Sequence, residues 1–305
     1  MTLWTPDHGL VDGPYKVLLA RGEFTDPARG DRVVPFKVYY PVEHGLSSMP
    51  VILWSHGFGG SRDGAGFIAR YVASHGYVLV HMTHYGTDSS LWEGKPGHPW
   101  DILRQTKVPR EMTLARMSDV PFVLDSLPQW AKDNPEPGAY MDFERIGMSG
   151  HSFGAMTTMT AAGMLFPFKD GSLRSLRDER IKAGILYSPT PISHLTDAPP
   201  EELYGPVSIP LFHMTGTEDD SPLAHHGFAE RLDIHKHVGH PDQYLQVLEG
   251  GDHMVYNGTR GKLEANPKRE EHEEDIKVAS LAFWDAYLKD DDKALAWMKE
   301  KWSVR

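Results

Sequence analysis

The chain has 305 residues, 40% of them hydrophobic, with 42 acidic against 31 basic side chains, a net charge of -11 and no cysteine. An acidic surface repels phosphate backbones and anionic lipid, so nucleic-acid binding is not expected. The missing cysteines exclude disulfides, thiolate metal sites and a thiol nucleophile, and leave the redox compartment open.

The N-terminal stretch MTLWTPDHGLVDGPYK has no basic start, apolar block or small-residue cleavage site. It does not read as a secretory signal, and a cytoplasmic location is the default expectation. No apolar run approaches the roughly 20 residues of a membrane span. The composition supports one large core, and α/β chains of this length often fold as one unit, so residues 1–305 are expected to form a single domain.

Short apolar runs punctuate the chain at Val34–Pro41, Val51–Trp54, Val78–Met82, Arg145–Met148, Ala183–Tyr187, Leu211–Thr215 and Tyr244–Leu248. Their apolarity is continuous rather than alternating, which predicts strands buried on both faces, as in a parallel sheet covered by helices. Between them the spacing predicts a helix over Phe67–Ser74, stopped at Gly76, and another over Glu111–Trp130 with Met117, Val120, Leu124 and Leu127 on one stripe. Pro121 lies inside the second, which predicts a kink or a fresh start capped by Ser118 or Asp119. A last helix places Ile276, Ser280, Phe283 and Tyr287 on one face behind a run of acidic residues. Strands alternating with helices imply βαβ units and a mostly parallel, doubly wound sheet. Two stretches near 86–110 and 221–242, rich in Pro, Gly and His, are expected to be irregular insertions, and long loops of this kind are usually functional or mobile.

The strongest chemical signal is Gly150-His151-Ser152-Phe153-Gly154, between the apolar run RIGMS and the small-residue helical pattern AMTTMTAAGM. A sharp strand-to-helix turn lifts the Ser152 hydroxyl above the sheet and sets the amide of Phe153 at a helix start. The second signal is His56-Gly57-Phe58-Gly59-Gly60, directly after VILWS. An oxyanion hole needs one donor beside the nucleophile and one from a loop after an earlier strand, which assigns the second N–H to Phe58. The third is Gly250-Gly251-Asp252-His253-Met254 after the last strand, where chain order Ser…Asp…His requires the imidazole.

The acid belongs after LFHMT, where Glu218, Asp219 and Asp220 are candidates. The chain's 17 histidines must be weighed against His253. His225, His226, His235, His237 and His240 match no metal-binding spacing and read as exposed loop residues, so no metal is expected. His81 and His84 follow a strand and read as packed or locally hydrogen-bonded.

These motifs resemble those of α/β-hydrolases, and more narrowly the dienelactone-hydrolase-like and platelet-activating-factor acetylhydrolase-like esterases. The resemblance is carried by SHGFGGSR (Ser55–Arg62), MSGHSFGA (Met148–Ala155), MTGTEDD (Met214–Asp220) and GGDHM (Gly250–Met254), in that order. It implies oxyanion donors at Phe58 and Phe153, and an acid in the register G-x-x-D (Asp219) or G-x-x-x-D (Asp220). True dienelactone hydrolases use a cysteine nucleophile, which this chain lacks.

The expected protein is therefore a serine hydrolase of carboxylic esters with the triad Ser152, Asp219 and His253, no cofactor, and a small-molecule ester as its partner. Leu91, Trp92, Trp100 and Ile102 in the 86–110 stretch suggest an acyl pocket for short chains. The same machinery acting on amides, acetylated phospholipids or polyesters, an acyltransferase, and a non-catalytic binding protein on this fold are the alternatives.

Overall fold

The computed structural model describes residues 13–258 and 266–303. Residues 1–12, on which the reading of a missing signal mainly rests, lie outside the described residues.

Eight strands form one sheet: β1 (Lys16–Asp26), β2 (Arg32–Val42), β3 (Met49–Ser55), β4 (Val78–Met82), β5 (Met141–His151), β8 (Ile181–Tyr187), β9 (Leu211–Glu218) and β10 (Gln243–Asp252). A small hairpin supplies β6 (Leu165–Pro167) and β7 (Leu173–Ser175). The order across the sheet is β1-β2-β4-β3-β5-β8-β9-β10. β1 and β2 run antiparallel to each other and β2 antiparallel to β4, whereas every pair from β4 to β10 is parallel. The mixed sheet with helices on both faces is the α/β-hydrolase architecture.

Burial explains which strands are legible as continuous apolar runs. Every residue of β3 and β4 is buried, because helices cover both faces of the sheet centre. β1, at the edge, alternates between exposed and half-buried positions. Its sequence KVLLARGEFTD carries no buried block, and no strand is predicted there.

Helix α1 (Gly66–Ser74) ends where expected, with Gly76 in the left-handed region (φ 89°) and its N–H on the carbonyl of Ala73. Helix α2 (Pro99–Gln105) begins with Pro99 at its first position, and His98 accepts from the Trp100 N–H. Helix α3 (Arg110–Asp133) runs unbroken through Pro121 and Pro128. There is no fresh start at Pro121, and neither Ser118 nor Asp119 caps a helix. Ser118 Oγ donates instead to the carbonyl of Leu114, one turn back, while Asp119 turns into the protein. Met117, Val120, Leu124 and Leu127 hold the helix on the sheet despite the N–H that Pro121 lacks.

Helices α4 (Phe153–Ala162), α5 (Phe228–His237), α6 (Arg269–Leu288) and α7 (Asp292–Trp302) complete the layers. The stretches near 86–110 and 221–242, expected to be irregular, hold α2 and α5. Pro99 starts α2, and Gly227 precedes α5, its N–H capped by the Glu230 carboxylate at 2.9 Å; Gly86, Gly94, Gly97, Pro222 and Gly239 lie in the turns and loops around these helices. The apolar side chains of α3 and α4 pack on one face of the sheet, and those of α1, α6 and α7 on the other.

A buried ion cluster ties the antiparallel edge to the centre. Asp119, fully buried, receives Arg32 through both carboxylate oxygens at 2.7 Å, Arg29 at 2.8 Å and His84 Nδ1 at 3.0 Å. Burial alone would raise the Asp119 carboxyl, but the Arg32 and His84 hydrogen bonds outweigh it and hold the group at about 2. Removing one partner of such a cluster leaves charge stranded in the interior. Asp119→Ala should therefore lose about 3–5 kcal/mol of stability, read as a lower denaturant midpoint. A midpoint unchanged from wild type would count against the cluster as a structural anchor.

Several histidines are buried in their neutral form. Burial pushes His81 and His213 down to about 3 and His84 to about 4, helped by the charges of Lys37, His235 and Arg116 respectively. The unfolded chain binds these protons near 6.5 and the folded chain does not, so lowering the pH from about 6.5 toward 4 favours unfolding. Urea midpoints should fall steadily across that window; a flat profile between pH 7 and 4.5 would contradict these burials.

Candidate active site

The carboxyl ends of β3, β5, β8, β9 and β10 converge on one edge of the sheet, where loops can reach one another. Ser152 follows β5 directly and caps the start of α4, with φ 56° and ψ -113°. A non-glycine residue there is strained by about 1–3 kcal/mol and persists only when its surroundings impose it. The surroundings are specific. A Cβ on Gly154 would lie 1.8 Å from the carbonyl oxygen of Ser55, and one on Gly150 would lie 2.4 Å from the Gly154 backbone. Only glycine at both places lets β5 turn into α4 against the end of β3. The Ser152 N–H is held by the Tyr187 carbonyl at 2.9 Å.

The loop after β3 also approaches the turn, less tightly. A Cβ on Gly57 would lie 3.1 Å from His151 Nδ1 and 3.5 Å from the Cβ of Ser152. The amide of Phe58 sits in this turn, and that of Phe153 in the first turn of α4, with their rings 6.4 Å apart. His56 braces the turn from within: its Nε2 accepts the His84 N–H at 3.0 Å and its Nδ1 bonds the Gly57 carbonyl at 2.6 Å. Trp92 Nε1 donates to the Gly59 carbonyl at 2.7 Å, and the Gly59 N–H to the Thr87 carbonyl at 2.8 Å.

His253 enters from the end of β10. Its Nε2 lies 3.0 Å from Ser152 Oγ and its Nδ1 lies 2.8 Å from Asp219 Oδ1. A carboxylate only accepts, so Nδ1 carries the proton and Nε2 offers its lone pair to the serine hydroxyl. Among the three candidate acids, Asp219 is buried against the imidazole while Glu218 and Asp220 face solvent. Burial would raise the Asp219 carboxyl. The His253 hydrogen bond, the charges of His253 and Arg231 and the Ser188 hydroxyl reverse that, and hold it well below the usual carboxylate range.

Three residues at this site were given no role by the motifs. Ser188, fully buried at φ 54°, donates to Asp219 Oδ1 at 2.8 Å and lies 2.7 Å from His253 Nδ1. Arg231, on α5, is a buried cation whose Nε reaches Asp219 Oδ2 at 3.0 Å and whose Nη2 lies 3.2 Å from His253 Nδ1. Both that nitrogen and Nδ1–H are donors, so this last contact is a packing contact in the tautomer given above. His151, inside the nucleophile motif, bonds the His253 carbonyl through Nε2 at 2.8 Å, and burial lowers it to about 3. Ser188 could have been suspected from its place at the end of a strand. Nothing local marks Arg231, because its role depends on where α5 lies.

A cleft of about 800 Å³ opens onto Ser152 and His253, walled by Phe58, Phe67, Trp92, Trp100, Leu103 and Leu223. Trp92 and Trp100 thus stand where an acyl pocket was expected. Leu91 and Ile102 are not among its lining residues, and Leu103 takes their place. His81 and His84 lie beneath the site, fully buried. Of the histidine-rich segment, His235 and His237 are on α5 rather than in a loop. Among the described residues, no group of three or more His, Asp or Glu side chains is placed to hold a metal ion. No described helix is long and apolar enough to cross a membrane.

No curated protein sequence matches this chain. The family model "Platelet-activating factor acetylhydrolase, isoform II" matches residues 1–93, the segment that contains β1 to β4 and the His56–Gly60 loop and stops before the Ser152 turn. The chain has the α/β-hydrolase fold, and its resemblance within that superfamily is to the platelet-activating-factor acetylhydrolase-like branch.

Proposed function

We propose that the protein is a serine hydrolase of carboxylic esters in which Ser152 is the nucleophile, His253 the general base and Asp219 the orienting acid. The observation that carries this reading is the unbroken chain from Ser152 Oγ through both ring nitrogens of His253 to Asp219. The match to an acetylhydrolase family over residues 1–93 supports an ester-hydrolysing activity from an independent direction.

In the proposed reaction Ser152 Oγ attacks the ester carbonyl carbon while His253 Nε2 takes its proton. The carbonyl oxygen becomes an oxyanion facing the N–H groups of Phe58 and Phe153. Collapse expels the alcohol, which receives the proton from His253, and leaves an acyl group on Ser152. Water then attacks the acyl carbon, giving its proton to His253, and the acid departs as Ser152 recovers its own. Asp219 stays ionised throughout and stabilises the imidazolium. No step calls for a cofactor.

Short acyl esters are the proposed substrates, since the aromatic side chains Trp92 and Trp100 help to wall the cleft that holds Ser152. An acetylated phospholipid is the second reading, favoured by the family match. A panel of p-nitrophenyl esters from acetate to palmitate, run beside an acetylated phospholipid, separates these readings. Acetate to butyrate should turn over fastest, and faster palmitate turnover would overturn the short-chain assignment.

Wild-type protein should be labelled by a fluorophosphonate at Ser152. Ser152→Ala should lose label and about 10⁴-fold or more in kcat while remaining folded. Near wild-type ester hydrolysis by this variant would end the serine-hydrolase reading. Asp219→Asn, which keeps the shape but favours the wrong imidazole tautomer, should cost about 10⁴ in kcat. Asp220→Asn should remain active, because its side chain faces solvent. The opposite ranking of the two variants would move the acid one residue along.

A further inference from the structure

Arg116 is a fully buried cation that the proposed reaction does not use. It lies on α3, and the nearest acid along that helix, Asp119, is already engaged by Arg29, Arg32 and His84. An arginine placed in a protein interior normally sits against a carboxylate, since a buried charge is costly unless paired. Among the described residues, every hydrogen-bond partner of Arg116 is a neutral oxygen. Nε donates to Thr157 Oγ1 at 2.9 Å, Nη1 to Thr87 Oγ1 at 2.9 Å, and Nη2 to Ser55 Oγ at 2.8 Å and to the His56 carbonyl. The guanidinium carbon also lies 4.5 Å from the centre of the Phe153 ring.

These partners share one property: each belongs to, or directly holds, a segment that carries an oxyanion donor. The His56 carbonyl precedes the Gly57–Phe58 turn, and Ser55 is the last residue of β3. Thr87 supplies the carbonyl that accepts the Gly59 N–H at 2.8 Å. Thr157 Oγ1 donates in turn to the Phe153 carbonyl at 3.0 Å, the residue whose amide is the other donor. The two donor segments come from separate parts of the chain, after β3 and after β5, and have no covalent reason to keep a fixed spacing. One rigid planar fork with its N–H groups satisfied on both sides supplies that reason. We propose that Arg116 is a positioning residue for the oxyanion hole, setting the spacing between the Phe58 and Phe153 amides from beneath.

This proposal rests on the Ser152 reading of the site. Burial pushes the guanidinium down to about 9, so it remains a cation at neutral pH and its hydrogen bonds stay charge-assisted. Donors misplaced from a developing oxyanion weaken transition-state stabilisation while leaving ground-state binding largely untouched.

The test is steady-state hydrolysis of p-nitrophenyl butyrate by Arg116→Gln and Arg116→Lys, with active sites counted by fluorophosphonate titration. Arg116→Gln should lose about 100-fold in kcat per titrated site, with KM changed less than about threefold. Arg116→Lys keeps the charge but not the fork, and should recover only part of that loss. If Arg116→Gln does not fold, Thr87→Val decides. It keeps the cation and removes one anchor of the loop, and a fall in kcat without a change in KM is expected. The proposal is overturned if kcat per titrated site stays within about threefold of wild type, or if the loss falls in KM instead. Failure of wild type to label at Ser152 would sink the hydrolase reading and this proposal with it, whereas a labelled wild type with a fully active Arg116→Gln sinks the proposal alone.

Discussion

The candidate site depends on one close approach, that of the α4 start to the end of β3. The Cα of Gly154 packs on the Ser55 carbonyl so tightly that no side chain fits between them. That contact obliges the chain to leave β5 through a turn with Ser152 at positive φ, and so directs its hydroxyl out of the sheet edge. Because β3 and β5 are adjacent and parallel, their carboxyl ends coincide. The loop after β3 therefore meets Ser152 without any long connection, and Asp219 and His253 arrive from the ends of β9 and β10, two and three strands further along the sheet.

The same edge concentrates buried charge. Asp119 with Arg29, Arg32 and His84 lies on one side of the site, and Asp219 with Arg231 and His253 on the other. Asp119 and Asp219 each have donors on both carboxylate oxygens, which is what permits their burial. The two clusters are also mechanically distinct. The first ties β2 to α3 and, through His84 and Ser55, reaches the loop after β3. The second holds the imidazole from behind through a helix, α5, that contributes no reacting group of its own. A site of this kind is stiff because its polar atoms have few alternative partners, and stiffness is what a preorganised oxyanion hole and a correctly aimed imidazole require.

Legibility in the sequence followed how local the governing physics is. The buried strands β3 and β4 could be read because helices cover both faces, so their apolarity is unbroken. β1 could not, since it buries little on either side and its sequence has no pattern stronger than its neighbours'. The unbroken course of α3 across Pro121 was not readable either: a local rule predicts a break there, and the packing of Met117, Val120, Leu124 and Leu127 overrides it. The stretches holding α2 and α5 are irregular over much of their length, and the short helices inside them begin at Pro99 and after Gly227.

By itself the sequence determined the chemistry on offer and much of its placement. The absence of cysteine left a hydroxyl as the proposed nucleophile of the motif, glycines flanked a serine between a strand and a helix, and a histidine followed the last strand. These are local facts, since a turn that sharp admits few residue types. Which of Glu218, Asp219 and Asp220 meets the imidazole was open, because adjacent side chains at a strand end point in different directions and only the fold says which way is inward. Arg231 and Arg116 were invisible for the same reason, and Ser188 was marked only by its place after a strand. The partners of Ser188, Arg231 and Arg116 lie 31, 12 and 61 residues away in the chain, and no spacing rule links a buried side chain to a contact that exists only after the sheet has closed around it.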